Sequence, residues 1–194
     1  MSPKIELDPV THIYRVDGVV RPSVTQILKF SGLIQDRFYT EESRQFGIAV
    51  HKACEYVDRG TLKRGTLHPR VAPRVEAWEK FKSEQKFVPK GIEEVFYDET
   101  YKFCGTRDRR GEIKGWNAIV DIKSGVVQPW TALQLAGYAF DFYKDKSIGR
   151  YGVELKEDGT YKVTEYRNLN DYNQFLSCVS NFYWAQNHGI KGEK

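Results

Sequence analysis

The spacing of apolar and polar residues changes along this chain, and three stretches have the spacing of an amphipathic helix. Between residues 40 and 58 apolar side chains recur three and four positions apart, and Thr40 can cap the first turn. Residues 129–144 form a mostly apolar stretch that begins at a proline, and residues 170–187 repeat the helical spacing. We expect helices over these ranges and a shorter helix after Ser23.

Alternation of apolar and polar residues predicts strands elsewhere. Residues 103–122 are typical of two neighbouring strands or a β-hairpin around a charged turn at 109–112. Turn signals at Asp17-Gly18 and at 157–160 indicate two further hairpins. The chain therefore combines helices with strands.

Length and composition indicate one folded unit. The chain has 194 residues, of which 40% are hydrophobic and 14% aromatic, enough for a substantial core. No repeat or low-complexity linker divides it. We expect a single domain over 1–194, made of an N-terminal hairpin and helix (1–35), a catalytic core (40–145) and a C-terminal hairpin and helix (149–189).

The strand that ends near residue 123 carries two charged side chains. Asp121 follows the apolar residues 118–120, where an ionised carboxylate is costly unless it is paired or bound to a cation. Because successive strand residues point to opposite faces, Asp121 and Lys123 share a face while Ile122 points into the core. Asp108 could converge with Asp121, although an aspartate near a turn is usually a solvated turn residue.

Two carboxylates beside a lysine point to phosphodiester chemistry. Asp oxygens are hard ligands suited to Mg²⁺. Such an ion can polarise a phosphate and acidify a water molecule, and Lys123 could orient that water or stabilise developing negative charge. The residues therefore predict metal-dependent phosphodiester hydrolysis.

Two of the expected helices each present a polar pair four residues apart. His51 and Glu55 share one helix face, as do Gln134 and Tyr138. His51 could be a metal ligand or a histidine at the core edge, and Glu55 a solvated acid or a partner of a metal-bound water. Gln134 and Tyr138 could hold a phosphate or the lysine, or could be satisfied within the core.

Five motifs then follow one another in a recognisable order. They are Gly47-Ile-Ala-Val-His51, Glu94, Gly105-Thr-Arg-Asp108, Asp121-Ile-Lys123 and Gln134-Leu-Ala-Gly-Tyr138. In this order they resemble the RecB-like branch of the PD-(D/E)XK nuclease superfamily. The opening His12-Ile-Tyr-Arg-Val-Asp-Gly is similar to the start of phage and prophage members, so the resemblance covers most of the chain.

This resemblance implies a fold and a site. The fold would be α/β, with a central mixed β-sheet flanked by helices. The metal ion would be held by His51, Asp108, Asp121 and the main-chain carbonyl of Ile122. The catalytic set would comprise Asp108, Asp121, Lys123, Glu94, Gln134 and Tyr138.

Two departures from the family pattern affect this transfer. The acid of the strand before Gly105 could be Glu93 or Glu94, because alternation sends the two side chains to opposite faces. We favour Glu94. Some relatives carry four cysteines for an iron–sulfur cluster, whereas the cysteines here are too few and too scattered, so no cluster is expected: Cys54, Cys104 and Cys178.

The net charge of +4 does not by itself indicate a nucleic-acid binder. Basic residues are nevertheless concentrated after the His51 helix and around Asp108, where they could contact DNA phosphates. The candidate phosphate contacts are Lys63, Arg64, Arg107, Arg109 and Arg110. Tryptophans could stack on unpaired bases, although packing is the more common use for at least two of Trp78, Trp116 and Trp130.

The function expected from these observations is a Mg²⁺- or Mn²⁺-dependent DNA exonuclease of phage recombination, replication or repair. It would act on DNA, beside a strand-annealing or single-strand-binding protein by family analogy. An endonuclease or nickase of the same fold and a non-catalytic DNA-binding module are the alternatives. With no membrane-spanning run or secretory signal, we expect a cytoplasmic location, in a bacterial host cell if the protein is phage-encoded.

Overall fold

Groups of strands and helices follow one another in the computed structural model, which describes residues 3–34, 40–142 and 148–190. The strands are β1 (Ile5–Leu7), β2 (Tyr14–Val16), β3 (Val19–Arg21), β4 (Phe87–Asp98), β5 (Phe103–Ile113), β6 (Trp116–Lys123), β7 (Gly149–Leu155) and β8 (Tyr161–Glu165). The α-helices are α1 (Val24–Phe30), α2 (Glu41–Asp58), α3 (Ala72–Gln85), α4 (Thr131–Tyr138) and α5 (Asn170–Asn187). Short 3-10 helices cover Arg64–Thr66 and Phe140–Phe142.

Five strands form the central sheet, in the spatial order β4-β5-β6-β7-β8. Neighbouring strands are antiparallel except for β6 and β7, which are parallel. A parallel pair needs a crossover connection, which helix α4 provides between these two strands. The sheet is therefore mixed, as expected. Strands β1–β3 form a separate small antiparallel sheet at the N-terminus.

Helices cover both faces of the central sheet. One apolar cluster joins α1, α4 and α5 to the sheet and includes Ile119 of β6. A second joins α2 and α3 to it and includes the neighbouring Ala118 and Val120. Since adjacent strand residues point to opposite faces, these clusters lie on opposite sides of the sheet. The α/β class with flanking helices is confirmed.

Polar side chains cap the N-termini of α1 and α2, as the sequence predicts. Ser23 begins α1 with a capping box, in which its hydroxyl accepts from the N–H of Gln26 and the Gln26 side chain accepts from the N–H of Ser23. The hydroxyl of Thr40 caps α2 by accepting from the N–H of Ser43. Both predicted N-caps are confirmed.

Helix α4 is shorter than the apolar stretch predicted. It ends at Tyr138, Ala139 leaves helical geometry, and a 3-10 turn follows. In this turn Phe140 lies in the core beside Phe103 and Phe175. The remainder of the predicted helix, 143–144, lies outside the described residues.

The environment of the cysteines and the character of the helices can both be read from the structure. The three cysteines are free and buried in three different apolar clusters: Cys54, Cys104 and Cys178. Within the described part of the chain, no helix has the length and apolar character needed to cross a membrane.

Candidate metal centre and active site

Asp108 lies at the meeting point of three elements. It stands on β5, and its Oδ2 accepts a hydrogen bond from the main-chain N–H of Ile122 on β6, at 2.7 Å. The Nδ1 of His51, on α2, lies 3.5 Å from the same oxygen. Neither side chain is fully buried, with 30% of the His51 side chain and 13% of the Asp108 side chain exposed. Both can therefore reach a ligand in solution.

Glu93 of β4 completes a cluster of three candidate metal ligands. One ligand atom from each of His51, Glu93 and Asp108 lies within 4.8 Å of the other two. Burial and the Asp108 carboxylate raise the pKa of Glu93. Two acids held this close disfavour each other's ionisation, and a divalent cation between them would relieve that repulsion.

The structure corrects the preference for Glu94 over Glu93. Glu94 pairs with Arg107 across the β4–β5 ladder, and its carboxylate accepts hydrogen bonds from Arg107 and Arg110. These guanidinium groups lower the pKa of Glu94, Arg110 having the largest effect. The local backbone helps to select Glu93, which has a left-handed φ of 50° in the middle of the strand. Glu93, and not Glu94, faces Asp108 and His51.

Asp121 lies beside this cluster in a buried position. It is 2% exposed, and burial together with the nearby Asp108 carboxylate raises its pKa to about 6, against the lowering effect of Lys123. His51 also acts on it electrostatically. Asp108 and Asp121, 13 positions apart in the chain, therefore influence the same small volume. Asp121 does not belong to the close group of three ligand atoms found among the described residues.

Lys123 is held by a short polar chain. Its Nζ lies 2.8 Å from Oδ2 of Asp121 and donates to Oε1 of Gln134, at 3.1 Å. The Gln134 amide in turn donates to the hydroxyl oxygen of Tyr138, at 3.1 Å. Gln134 and Tyr138 are both buried; Gln134 contacts the lysine directly, and Tyr138 contacts Gln134. Ile122 is fully buried, as alternation predicts.

These groups open into a cleft formed by adjoining cavities. Two of them, of about 910 and 780 Å³, share the lining residues His51 and Lys123. A third, of about 700 Å³, is lined by Glu93, Asp108 and Tyr138. We call this set of cavities the cleft. Its size exceeds what one metal ion needs and leaves space for a substrate.

Two of the basic residues predicted to contact phosphates are buried. Arg107 is 3% exposed and bound to Glu94 and Asp141, and Arg109 is 0% exposed and bound to Asp58 and Glu93. The expectation that these two arginines bind DNA is therefore corrected. The concentration of basic residues around Asp108 is visible in the sequence, but the acids that bind these arginines are not.

The other three predicted phosphate contacts do not line the cleft cavities. Arg110 binds Glu94, Arg64 binds Glu79, and Lys63 is on the surface. Besides Lys123, three basic residues line the cleft that were not predicted: Lys29, Arg44 and Lys52. They come from the consecutive helices α1 and α2, and no local pattern marked them.

The three tryptophans considered as stacking candidates lie in three different environments. Trp78 is fully buried and stacks on Phe81. Trp116 is 70% exposed at the start of β6. Trp130 lines the cleft, and the Nζ of Lys123 lies 5.2 Å from the centre of its ring. Of the three, Trp130 is the one placed beside the candidate active site.

Known proteins resemble this chain in fold. Neither a family model nor a curated protein matches the chain. Among solved structures, a proposed exonuclease from Eubacterium rectale is 12% identical, with 87% of this chain and 76% of that chain covered and a TM-score of 0.52. An alkaline exonuclease from Laribacter hongkongensis is 12% identical over 88% of this chain and 89% of that chain, with a TM-score of 0.46.

The similarity to the Eubacterium rectale structure concerns the fold. The two chains resemble each other over most of their lengths. This chain therefore shares its fold, an α/β arrangement with a mixed sheet flanked by helices, with a proposed exonuclease.

Proposed function

We propose that this protein is a metal-dependent DNA exonuclease. The observation that carries the proposal is the cluster of His51, Glu93 and Asp108, which lines the cleft together with Lys123. Fold alone would not support an activity, because one fold hosts many functions. Here the fold and a chemically suitable group of side chains coincide.

The donor set fits a divalent cation. Two carboxylates and an imidazole nitrogen are ligands that Mn²⁺ accepts, and carboxylates with retained waters suit Mg²⁺. His51, Glu93 and Asp108 would hold the ion, and we place Asp121 and the Ile122 carbonyl next to it on the family resemblance. A bound cation of this kind would neutralise phosphate charge and make a water molecule more acidic.

Lys123 has the position to act on the reacting phosphate. Its ammonium group lines the cleft, while Asp121 and Gln134 fix its location from behind. A fixed positive charge there would stabilise the charge that builds up on the phosphate, or orient the attacking water. Tyr138 supports this by holding the Gln134 amide.

The walls of the cleft suit a nucleic-acid strand. Lys29, Arg44 and Lys52 line it and could contact the phosphates on either side of the scissile bond. Trp130 offers a ring on which a base could stack. Together these groups support a DNA strand as the substrate.

The biological setting follows from the family resemblance. We infer a role in phage recombination, replication or repair, in the host cytoplasm and beside a strand-annealing or single-strand-binding protein. An endonuclease or nickase would use the same cluster, so digestion of linear against closed-circular DNA separates these activities. A non-catalytic module would have no reason to keep Lys123 paired with Asp121 in the cleft.

The proposal is tested by digestion of oligonucleotides labelled at the 5′ or the 3′ end, single- and double-stranded, with Mg²⁺, Mn²⁺ or a chelator. We expect cleavage that requires the cation and is lost in Asp108→Asn and Lys123→Ala. Glu157→Gln, an exposed surface change, is the matched control and should cleave normally. The proposal would be refuted by cleavage that persists in both site variants. It would also be refuted if the wild-type protein cleaved DNA with neither Mg²⁺ nor Mn²⁺.

A further inference from the structure

One buried arginine connects the elements that carry the three candidate ligands. The guanidinium of Arg109 donates to Oδ2 of Asp58 at 2.6 Å, to Oε1 of Glu93 at 2.9 Å and to the main-chain carbonyl of Asp108 at 2.5 Å. Arg109 is 0% exposed, so it cannot contact substrate. It instead touches two of the three ligand residues from behind.

Asp58 extends this connection to the third ligand. It is the last residue of α2 and lies seven residues after His51, which is two helical turns along the same face. Its carboxylate also accepts hydrogen bonds from the Trp78 indole and from the Lys82 ammonium, both on α3. The Asp58–Arg109 pair thus fixes the helix that carries His51 against the strand that carries Asp108.

Stability alone does not account for such a pair. Both side chains are fully buried, and removing two charges from water costs about as much as their attraction returns. Apolar residues of similar volume would join α2 to the sheet equally well. A group that also grips the Glu93 carboxylate and the Asp108 carbonyl has a more specific use.

We propose that Arg109 and Asp58 are positioning residues that hold Glu93, Asp108 and His51 in the arrangement that binds the catalytic cation. This inference rests on the proposed function. Arg109 restrains the rotation of the Glu93 carboxylate, whose backbone is already in the unusual left-handed region. It also supplies a fixed positive charge between acids that would otherwise repel one another when no cation is bound.

Lysine at position 109 separates geometry from charge. Lys retains the positive charge and can pair with Asp58, but it lacks the planar fork of donors that binds three acceptors at once. Arg109→Lys should therefore fold and still misplace Glu93. Asp58→Asn is the second variant, since it keeps the volume and removes the charge that orients Arg109.

The experiment is a Mn²⁺ titration of the intact chain, in which electron paramagnetic resonance measures the concentration of free Mn²⁺. Asp108→Asn should abolish high-affinity binding and so identify the site. We expect Arg109→Lys and Asp58→Asn to bind Mn²⁺ about 10- to 100-fold more weakly, as is typical when a partner of a metal ligand is removed. Their thermal unfolding is measured in parallel, to show that the variants are folded.

Lys82→Met is the matched control. It also removes a hydrogen-bond partner of Asp58, but Lys82 does not touch a ligand residue. Its Mn²⁺ affinity should remain within about twofold of wild type. The inference is overturned if Arg109→Lys binds Mn²⁺ like wild type, or if Lys82→Met loses as much affinity as Arg109→Lys. Failure of the proposed function would look different: a Mn²⁺ site that Asp108→Asn abolishes, with no cleavage of DNA.

Discussion

The ammonium of Lys123 lies 2.8 Å from a carboxylate oxygen of Asp121, two residues earlier on the same strand. Alternation along β6 brings both side chains to one face and leaves Ile122 between them in the core. The pair places a positive charge at the edge of the cleft and its counterion in the interior. Several measurable properties depend on this arrangement.

The first concerns the orientation of Lys123. Gln134→Leu removes the amide that accepts from Nζ, while the leucine fills similar space in the core. We expect kcat to fall by at least about tenfold with little change in KM, because a misplaced charge stabilises the transition state poorly. Steady-state kinetics on a labelled oligonucleotide measure both constants. Gln128→Ala, which changes another amide of the cleft, should leave kcat nearly unchanged.

The second concerns how the free energy of unfolding depends on pH when no divalent cation is present. The pKa of Asp121 is raised from 3.8 to about 6 in the folded chain, so between these values the folded state binds more protons than the unfolded state. The contribution of Asp121 to the free energy of unfolding is therefore present at low pH and is lost as pH rises to about 6, by on the order of 3 kcal/mol.

Urea unfolding in chelator at pH 4.5 and pH 8 tests this. Asp121→Asn should be more stable relative to wild type at pH 8 than at pH 4.5, since it carries no proton to lose. Glu157→Gln, whose parent side chain is 86% exposed, should follow the wild-type pH dependence. An Asp121→Asn variant with the same pH dependence as wild type would contradict the assignment.

The third concerns the binding of DNA phosphates. Arg44→Ala and Lys29→Ala should each weaken binding of DNA and flatten the plot of log affinity against log salt, by about 0.7 to 0.9 for each phosphate that the variant no longer neutralises. Fluorescence anisotropy at several salt concentrations measures the slope, with Asp108→Asn as the background to prevent cleavage. Lys63 lies outside the cleft, so Lys63→Ala should leave the salt dependence of the Asp108→Asn background unchanged.

The fourth concerns base stacking in the cleft. Trp130→Ala should lower affinity for a single-stranded oligonucleotide by about 1 to 3 kcal/mol, the usual contribution of one stacked base. Trp130→Leu keeps an apolar side chain against the core and tests the ring itself. The comparison is Trp116→Ala, which removes an exposed ring outside the cleft. Equal losses for Trp116→Ala and Trp130→Ala would exclude a specific stacking role.

The fifth concerns the space around Gly105, the glycine of the Gly-Thr-Arg-Asp motif. A Cβ at Gly105 would lie 2.5 Å from the Phe96 ring and 3.2 Å from the Tyr138 ring. Gly105→Ala should therefore push these rings apart and cost about 1 to 3 kcal/mol of stability. Thermal unfolding measures this. Gly65→Ala is the control, because nothing lies within 4 Å of a Cβ there.

Much of the fold follows from local rules in the sequence. Helical spacing and N-caps identified α1 and α2, and strand alternation identified the shared face of Asp121 and Lys123. The ordered motifs indicated the PD-(D/E)XK-type fold. The helices and the shared face depend on neighbours within a few residues, and the order of the motifs extends from residue 47 to residue 138; a single sequence contains both.

The tertiary structure decided which groups meet. Regular alternation left Glu93 and Glu94 equivalent, whereas a left-handed backbone at Glu93 and the arginines opposite Glu94 distinguish them. The tertiary structure also buries Arg109 against Asp58, 51 positions earlier in the chain, and brings Lys29 and Arg44 to the lining of the cleft. Such contacts arise from the packing of distant segments, so the sequence determined the chemistry of each side chain and only the folded chain determined its partners.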